Sequence, residues 1–192
     1  MENIKLKYVG MNEFKEDVYS YYLEIFPEDE RKPLELIQSS YEEQYTKIIE
    51  IVHKSEIVGF MLLNRVKEKG YCVLDYLAIL PQYRNSKFGT KALQLLLEQE
   101  KENKGVFIEV EKPGLGRDKE ENLLRERRTN FYEKIGFKKL NFDLLLFDVM
   151  YVPYLYSKIN DDESIIINEI LNIYESISGK ERIKRNCKIL KI

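Results

Sequence analysis

Apolar and polar residues recur along this chain with two periods, one typical of strands and one typical of helices. Apolar runs bounded by turn signals predict strands at 4–9, 45–53, 56–66, 71–79 and 106–111, and two more within 137–157. Apolar positions at helical spacing predict helices at 11–26, 33–43, 86–103, 119–136 and 162–179. The short spacing of the strands between 45 and 79 indicates an antiparallel meander.

This element order predicts an α/β (α+β) fold with a mixed, mainly antiparallel central sheet. The strands at 56–66 and 71–79 are almost continuously apolar, which is typical of strands covered by helices on both faces. We expect residues 1–157 to form one domain and residues 158–192 a helical C-terminal extension. The extension carries one apolar stripe, made of Ile166, Ile170, Ile173, Tyr174 and Ile177. Such a stripe has to be buried, either on the same domain or in a homodimer.

Composition and charge narrow the classes of protein that the chain can belong to. It has 192 residues, of which 44% are apolar and 33% charged, so a disordered chain or a small disulfide scaffold is excluded. A net charge of −2 and a pI near 5.7 argue against a nucleic-acid partner. No apolar run approaches the ~18–20 residues of a membrane span, and the N-terminus lacks the features of a signal peptide. We therefore expect a cytoplasmic protein with no membrane partner.

Few residues can form a metal site or a nucleophilic triad. The two cysteines, Cys72 and Cys187, lie far apart, which is typical of a reducing compartment and not of a metal cluster. The single histidine, His53, falls where a hairpin turn is predicted, and we expect it to be an exposed turn residue. A metal is therefore not expected.

A candidate phosphate site follows the strand at 71–79. The strand ends before Pro81, a short polar loop follows, and a helix begins near Phe88. The N-terminus of a helix offers backbone N–H groups that suit phosphate, and the preceding loop adds the donors Arg84, Asn85, Ser86 and Lys87. Taken alone, the same loop could equally be a solvated start of a helix.

Two motifs give this loop a more specific interpretation. The first is P-x-Y-R-x-x-x-x-G at 81–89, after a strand, and the second is F-Y-E-K-x-G-F at 131–137, at the end of the helix that follows the next strand. Together, and in this element order, they resemble the GNAT superfamily of acetyl-CoA-dependent N-acetyltransferases over roughly residues 1–155. The resemblance implies the GNAT-like acyl-CoA N-acyltransferase fold, with acetyl-CoA as co-substrate and no metal.

The resemblance also implies roles for individual residues. The backbone of Leu77, Ala78 and Ile79 would pair with the pantetheine arm of the cofactor. The pyrophosphate would be cradled by Arg84, Asn85, Ser86, Lys87, Phe88, Gly89 and Thr90. Tyr132 matches the family tyrosine that protonates the departing thiolate, and a phenol of pKa ~10 can share its proton with a thiol of pKa ~8.5. The alternative for Tyr132 is a core aromatic beside Phe131 and Phe137.

Two positions depart from the family pattern. Lys87 stands where the family loop usually has its first glycine. If the backbone there needs a positive φ, the lysine costs stability. Alternatively, its ammonium contacts a phosphate. Arg125 stands where the family often has asparagine, seven residues before the tyrosine. Asn122 and Asn130 are the residues that could replace that asparagine.

An amine acceptor of pKa ~10.4 must lose a proton before it attacks, so a base is needed. Strand alternation places Phe107, Glu109 and Glu111 on one face of the strand at 106–111, and we expect Glu109 to be the base. Alternatively, these glutamates face water or pair with arginines of the next helix, namely Arg125, Arg127 and Arg128. Glu111 and Asp75 are the other candidate bases.

The acceptor is expected to be a small-molecule primary amine that attacks the thioester directly. In the family that the chain resembles, the N-terminal helices wall the acceptor site. Here that region carries Tyr19, Tyr21, Tyr22, Phe26, Glu28, Asp29, Glu30 and Arg31. An acidic, aromatic rim would suit a cation, although core packing explains most of these aromatics. The alternatives are a CoA-binding sensor without turnover and an acetyltransferase that acts on peptides or proteins.

Overall fold

The computed structural model of the chain describes residues 4–191. Its strands are β1 (Lys5–Val9), β2 (Thr46–His53), β3 (Glu56–Asn64), β4 (Tyr71–Ile79), β5 (Gly105–Glu111), β6 (Lys138–Lys139), β7 (Phe142–Leu146), β8 (Val149–Ser157) and β9 (Cys187–Lys191). Its α-helices are α1 (Met11–Glu13), α2 (Tyr19–Ile25), α3 (Leu34–Glu42), α4 (Phe88–Gln99), α5 (Lys119–Ile135), α6 (Glu163–Ser178) and α7 (Lys180–Asn186). The chain divides into two compact units, the first up to Val66 and again over Leu74–Lys101, the second over Lys67–Val73 and from Glu102 onward.

The first unit packs its N-terminal helices on a meander of strands. β1 pairs with β2 and β2 with β3, both antiparallel. The part of β4 that belongs to this unit begins at Leu74, and β4 is next to β3 in the strand order. A hydrophobic core fills the face toward α1, α2 and α3. Its buried residues are Val9, Met11, Phe14, Val18, Tyr22, Ile37, Ile48, Phe60, Leu62, Tyr76, Ala78 and Leu80.

The helix predicted at 11–26 is interrupted. A π-helical segment, Phe14–Val18, separates α1 from α2. Phe14, Val18 and Tyr22 recur every four residues and are all fully buried. Four residues of an α-helix make slightly more than one full turn, whereas four residues of the wider π-helix make slightly less. The two rotations compensate each other, so all three side chains face the core.

A tight turn joins β2 to β3. Its two residues, Lys54 and Ser55, have φ of 49° and 69°, as in the hairpin turns whose twist matches that of the strands. His53 precedes this turn as the last residue of β2, is half-buried, and has its ring 4.9 Å from that of Phe88. The expectation of an exposed turn histidine is therefore wrong, because the turn is shorter than the polar run suggests.

The second unit is organised around β5. Tyr71–Val73 of β4 pair with Gly105–Phe107 in parallel, and β5 pairs with β8 antiparallel. β8 also pairs with β6 and β7, and β7 pairs with β9, all antiparallel. The sheet is therefore mixed and mostly antiparallel, as predicted. α5 ends at Gly136, whose φ of +110° is the expected helix stop.

The C-terminal segment contains more than the one helix predicted. α6 is confirmed, and all five residues of its apolar stripe are buried within the chain itself. α7 and strand β9 follow, and β9 pairs with β7. The domain boundary at residue 157 stays a prediction. None of the helices between residues 4 and 191 is long and apolar enough to cross a membrane.

Candidate functional site

The predicted phosphate loop lies between β4 and α4 in the first unit. A 3₁₀ turn, Pro81–Tyr83, follows β4, and the Nε of Arg84 donates to the carbonyl oxygen of Ile79 at 3.2 Å. The hydroxyl of Tyr83 donates to Glu56 at 2.8 Å. These bonds hold the start of the loop against the ends of two strands, while residues 84–87 are exposed.

The backbone of this loop suits an anion. The first backbone bond of α4 runs from the N–H of Lys91 to the carbonyl of Lys87 at 3.1 Å. The N–H groups of Phe88, Gly89 and Thr90 therefore precede the hydrogen-bonded ladder of the helix and point out of its N-terminus. Arg84 and Lys87 add two cations to the same exposed segment, so it can attract an anion.

Lys87 adopts the conformation that the family glycine would favour. Its φ is 61° and its ψ is 13°, in the left-handed region, and it caps α4 without a side-chain hydrogen bond. Asn85 also has a positive φ, 64°, but asparagine tolerates this conformation better than lysine does. The lysine at 87 is thus accommodated at a cost in backbone energy.

The end of β4 approaches β3 closely. A Cβ added to Gly59 would lie 2.3 Å from the carbonyl oxygen of Ala78, so only glycine fits opposite this residue. Leu77 and Ile79 are half-buried, and Ala78 is buried. The three residues predicted to pair with the pantetheine arm therefore occupy a fixed stretch of backbone just before the loop.

Asp75, one of the candidate bases, is engaged by two neighbours in the first unit. Its Oδ2 lies 2.5 Å from the Nζ of Lys32 and accepts from the amide of Asn64 at 3.0 Å. Asn64 is buried and accepts from Thr46 at 2.8 Å, and Thr46 lies 2.7 Å from the hydroxyl of Ser40. A chain of buried polar groups thus ends on this carboxylate.

The aromatic residues predicted as an acceptor rim belong largely to the core. Tyr22 is fully buried, and its hydroxyl accepts from the backbone N–H of Lys32 at 2.7 Å. Tyr76 donates to the carbonyl of Glu30 at 2.7 Å, so the segment after α2 is fastened to β4. Burial raises the pKa of Tyr22 to about 12 and also raises that of Tyr76.

The other residues of that rim are less buried. Tyr19, Tyr21 and Phe26 pack partly against the core. Glu28 is exposed, Arg31 donates to the carbonyl of Leu23, and the side chain of Asp29 lies outside the described residues.

Tyr132, the predicted proton donor, lies in the last turns of α5 in the second unit. Its ring packs 5.0 Å from that of Phe131 and 5.6 Å from that of Phe137, measured between centroids. Burial raises the pKa of Tyr132 to about 12, the cation of Arg128 opposes this, and the charge of Glu109 adds to it. The hydroxyl is therefore protonated throughout the neutral range.

Glu109, the predicted base, lies in a small cluster of titratable groups. It is half-buried on β5, and its Oε1 accepts from the hydroxyl of Tyr174 on α6 at 2.9 Å. Burial and the charge of Glu109 raise the pKa of the Cys187 thiol to about 11. Glu109 is thus hydrogen-bonded to Tyr174, and its charge raises the pKa of both Tyr132 and Cys187. The sequence did not indicate an interaction of Glu109 with Tyr174 or Cys187.

Glu111, two residues further along the strand, has different partners. Its oxygens lie 2.7 Å from nitrogens of Arg125 and of Arg128, so it takes the arginine-paired alternative. Arg125 is buried, contacts Glu121 at 2.5 Å and donates to the carbonyl of Lys112 at 3.1 Å. The arginine that departs from the family pattern is therefore the centre of an ion-pair cluster.

Asn122 and Asn130, the two candidate replacements for the family asparagine, have no feature in the structure that is specific to a cofactor ligand. The side-chain oxygen of Asn122 accepts from the N–H groups of Gly114 and Gly116 at 2.7 and 2.9 Å, which fixes the loop before α5. Asn130 is exposed. Among residues 4–191, no group of three His, Cys, Asp or Glu side chains is arranged to hold a metal ion.

The chain was compared with known protein families and with known proteins. A sequence model of the Acetyltransferase (GNAT) family matches residues 12–137. No curated protein sequence matches the chain.

Solved structures share the fold at low sequence identity. A protein of Bacteroides thetaiotaomicron described as a GNAT acetyltransferase is 20% identical with a TM-score of 0.71, over 92% of this chain and 99% of that one. NAA60 of Arabidopsis thaliana, in complex with acetyl-CoA, is 13% identical with a TM-score of 0.62, over 81% and 99%. The ribosomal-protein alanine N-acetyltransferase of Escherichia coli is 13% identical with a TM-score of 0.59, over 84% and 97%.

These structural matches agree with the observed sheet and confirm the predicted fold. The sequence match includes the loop at 84–90 and extends to Phe137, so it spans both predicted motifs and well over half of the 192 residues. The chain therefore belongs to the Acetyltransferase (GNAT) family.

Proposed function

We propose that the protein transfers an acetyl group from acetyl-CoA to a primary amine of a small molecule by direct attack. The observation that carries the proposal is the loop at 84–90, where backbone donors and two cations converge at the start of α4 in a chain of the GNAT family. Acetyl-CoA, when bound, supplies the acetyl group as an activated thioester. We also propose that the protein is cytoplasmic.

The loop would hold the pyrophosphate. The N–H groups of Phe88, Gly89 and Thr90 supply fixed dipoles, and Arg84 and Lys87 supply charge. The backbone of Leu77–Ile79, which leads into the loop, would pair with the pantetheine arm and orient the thioester. Solved relatives in complex with acetyl-CoA, such as NAA60, support this assignment of the co-substrate.

Tyr132 would assist departure of the thiolate. With its pKa near 12, the phenol is protonated at neutral pH, so its O–H is available as a donor when the carbon–sulfur bond breaks. A thiol has a pKa of ~8.5, so the proton is shared with the sulfur and not surrendered outright. The hydroxyl thereby stabilises charge that exists only as the reaction proceeds.

Glu109 would accept the proton that the acceptor ammonium loses. It is half-buried, as a base fixed on a strand should be, and its charge already influences Tyr132. Glu111 is committed to two arginines and is a weaker candidate. Asp75, paired with Lys32, remains the alternative base, since a cationic acceptor could compete for the same carboxylate.

The acceptor can be identified by measuring thiol release with acetyl-CoA and a panel of amines. The panel should hold diamines, amino sugars, free amino acids and short peptides with unblocked N-termini. We expect turnover with a small cationic amine. Turnover with peptides alone would replace the small-molecule acceptor by a peptide. Thermal stabilisation by CoA without any turnover would indicate a CoA-binding module, and the absence of stabilisation at millimolar CoA would refute the cofactor assignment.

A further inference from the structure

The C-terminal helix α6 contributes a residue to the candidate site although it lies beyond the family match. That match ends at residue 137, whereas α6 spans Glu163–Ser178. Within the second unit, the hydroxyl of Tyr174 reaches across to β5 and donates to Glu109 at 2.9 Å. Tyr174 is only 4% exposed, so its ring is fixed by packing.

Three titratable side chains from three other elements interact with Glu109. Tyr174 on α6 donates a hydrogen bond to it, and the charge of Glu109 raises the pKa of Tyr132 on α5 and of Cys187 at the start of β9. Tyr132 and Cys187 are neutral near pH 7, because their pKa values are raised to about 12 and about 11. Glu111, on the same strand, lies in an ion-pair cluster with Arg125 and Arg128. The phenol of Tyr174 thus gives the carboxylate of Glu109 a neutral hydrogen-bond donor, in contrast to the guanidinium groups at Glu111.

We propose that Tyr174 is a positioning residue for the reaction: its hydroxyl orients the carboxylate of Glu109 and stabilises the ionised form that accepts the acceptor's proton. This inference rests on the proposed function, in which Glu109 is the base. It makes α6 part of the catalytic apparatus, and not only a cover for the sheet.

The sign of the effect follows from the direction of the hydrogen bond. A phenol that donates to a carboxylate favours its ionised form, so loss of the hydroxyl raises the pKa of that carboxylate. Hydrogen bonds to charged groups are strong enough to move a pKa by about one to two units. Because an ionised base is required, the acidic limb of the pH–rate profile should move to higher pH by the same amount.

Tyr174→Phe tests this, because it keeps the ring and removes only the hydroxyl. We expect the acidic limb of kcat/KM to move up by about one to two pH units, with slower turnover on that limb and little change in KM for acetyl-CoA. Tyr154→Phe is the matched control, since Tyr154 is also buried in the second unit and donates to a carboxylate, that of Glu133 at 3.2 Å. An equal shift in both variants, or in neither, would overturn the proposal.

Two further measurements keep the test decisive. In a Glu109→Gln background, Tyr174→Phe should cause no additional loss of turnover, whereas an additive loss would contradict the role through Glu109. Fluorotyrosine at position 174 keeps the packing and donates more strongly, so it should move the acidic limb the opposite way even if the phenylalanine variant folds poorly.

A readout without turnover separates this inference from the proposed function. Carbon NMR of the Glu109 carboxyl should show a higher pKa in Tyr174→Phe than in the unmodified protein. If the protein transfers no acetyl group, the proposed function fails, yet this titration still tests the contact. If transfer occurs but the titration does not move, Tyr174 has only a packing role.

Discussion

Replacement of Lys87 by glycine is the sharpest test of the cofactor loop. Lys87 has a φ of 61° and caps α4 without a side-chain hydrogen bond. The left-handed conformation costs an L-residue roughly 1–2 kcal/mol, and glycine avoids that cost. Glycine also loses more conformational freedom on folding, and this cost offsets about 0.4–1 kcal/mol of the stability gained. We therefore expect Lys87→Gly to raise the free energy of unfolding by about 0.5–1 kcal/mol.

Thermal and urea unfolding without ligand would measure this gain. For a chain of this size it corresponds to a melting temperature higher by about 1–4 °C. Lys69→Gly is the matched control, because Lys69 is also exposed and has a φ of 57°, but lies in the turn before β4. A gain at Lys69 with none at Lys87 would refute the idea that the loop lysine is a backbone compromise.

The same pair of variants reports on binding of CoA. Lys87 is exposed, so a contact from its ammonium to phosphate would contribute about 1 kcal/mol at most, or roughly five-fold in affinity. We expect Lys87→Gly to weaken CoA binding by no more than this in calorimetry, and Lys69→Gly to leave binding unchanged. A loss of a hundred-fold would show that the side chain, and not the backbone, makes the site.

Three other substitutions test individual residues. Tyr132→Phe should lower kcat by ~10²–10⁴-fold with little change in CoA affinity, and an unchanged kcat in steady-state assays would leave Tyr132 a packing residue. Glu109→Gln should slow turnover and move the acidic limb of the pH–rate profile, whereas an unmoved limb would transfer the role of base to Asp75 or Glu111. Hydrogen bonds from the backbone and side chain of Arg117, with Arg125, lower the pKa of Glu121 to about 2. Folding therefore favours ionised Glu121, so Glu121→Gln should destabilise the protein above pH ~4.5, and the two urea-unfolding curves should converge as the pH falls to about 2.

Elements and motifs with local signals were predictable from the sequence. The loop at 84–90 follows a strand and precedes a helix, and both of its boundaries are marked by Pro81 and by the apolar spacing of α4. The C-terminal stop at Gly136 is likewise a local property of one residue with a positive φ. These features are encoded within a few positions, so tertiary contacts do not have to be known.

The features that were missed depend on partners far away in sequence. Strand β9 forms because its backbone pairs with β7, about 45 residues earlier. Two of its five residues are lysines, which obscures the apolar pattern of the strand. The hydrogen bond from Tyr174 to Glu109 spans 65 positions. The apolar stripe of α6 predicted a buried face, but it could not show that one tyrosine on that face also holds a carboxylate.

The two glutamates of β5 show where the limit lies. Alternation puts Glu109 and Glu111 on the same strand face, and nothing in the sequence around them separates a base from a structural anion. The separation comes from α5, which brings Arg125 and Arg128 to Glu111, and from α6, which brings a phenol to Glu109. A carboxylate held by two guanidinium groups is committed to an ion-pair cluster, whereas one held by a neutral donor can still exchange a proton. This difference in partners, and not strand position, favours Glu109 as the base.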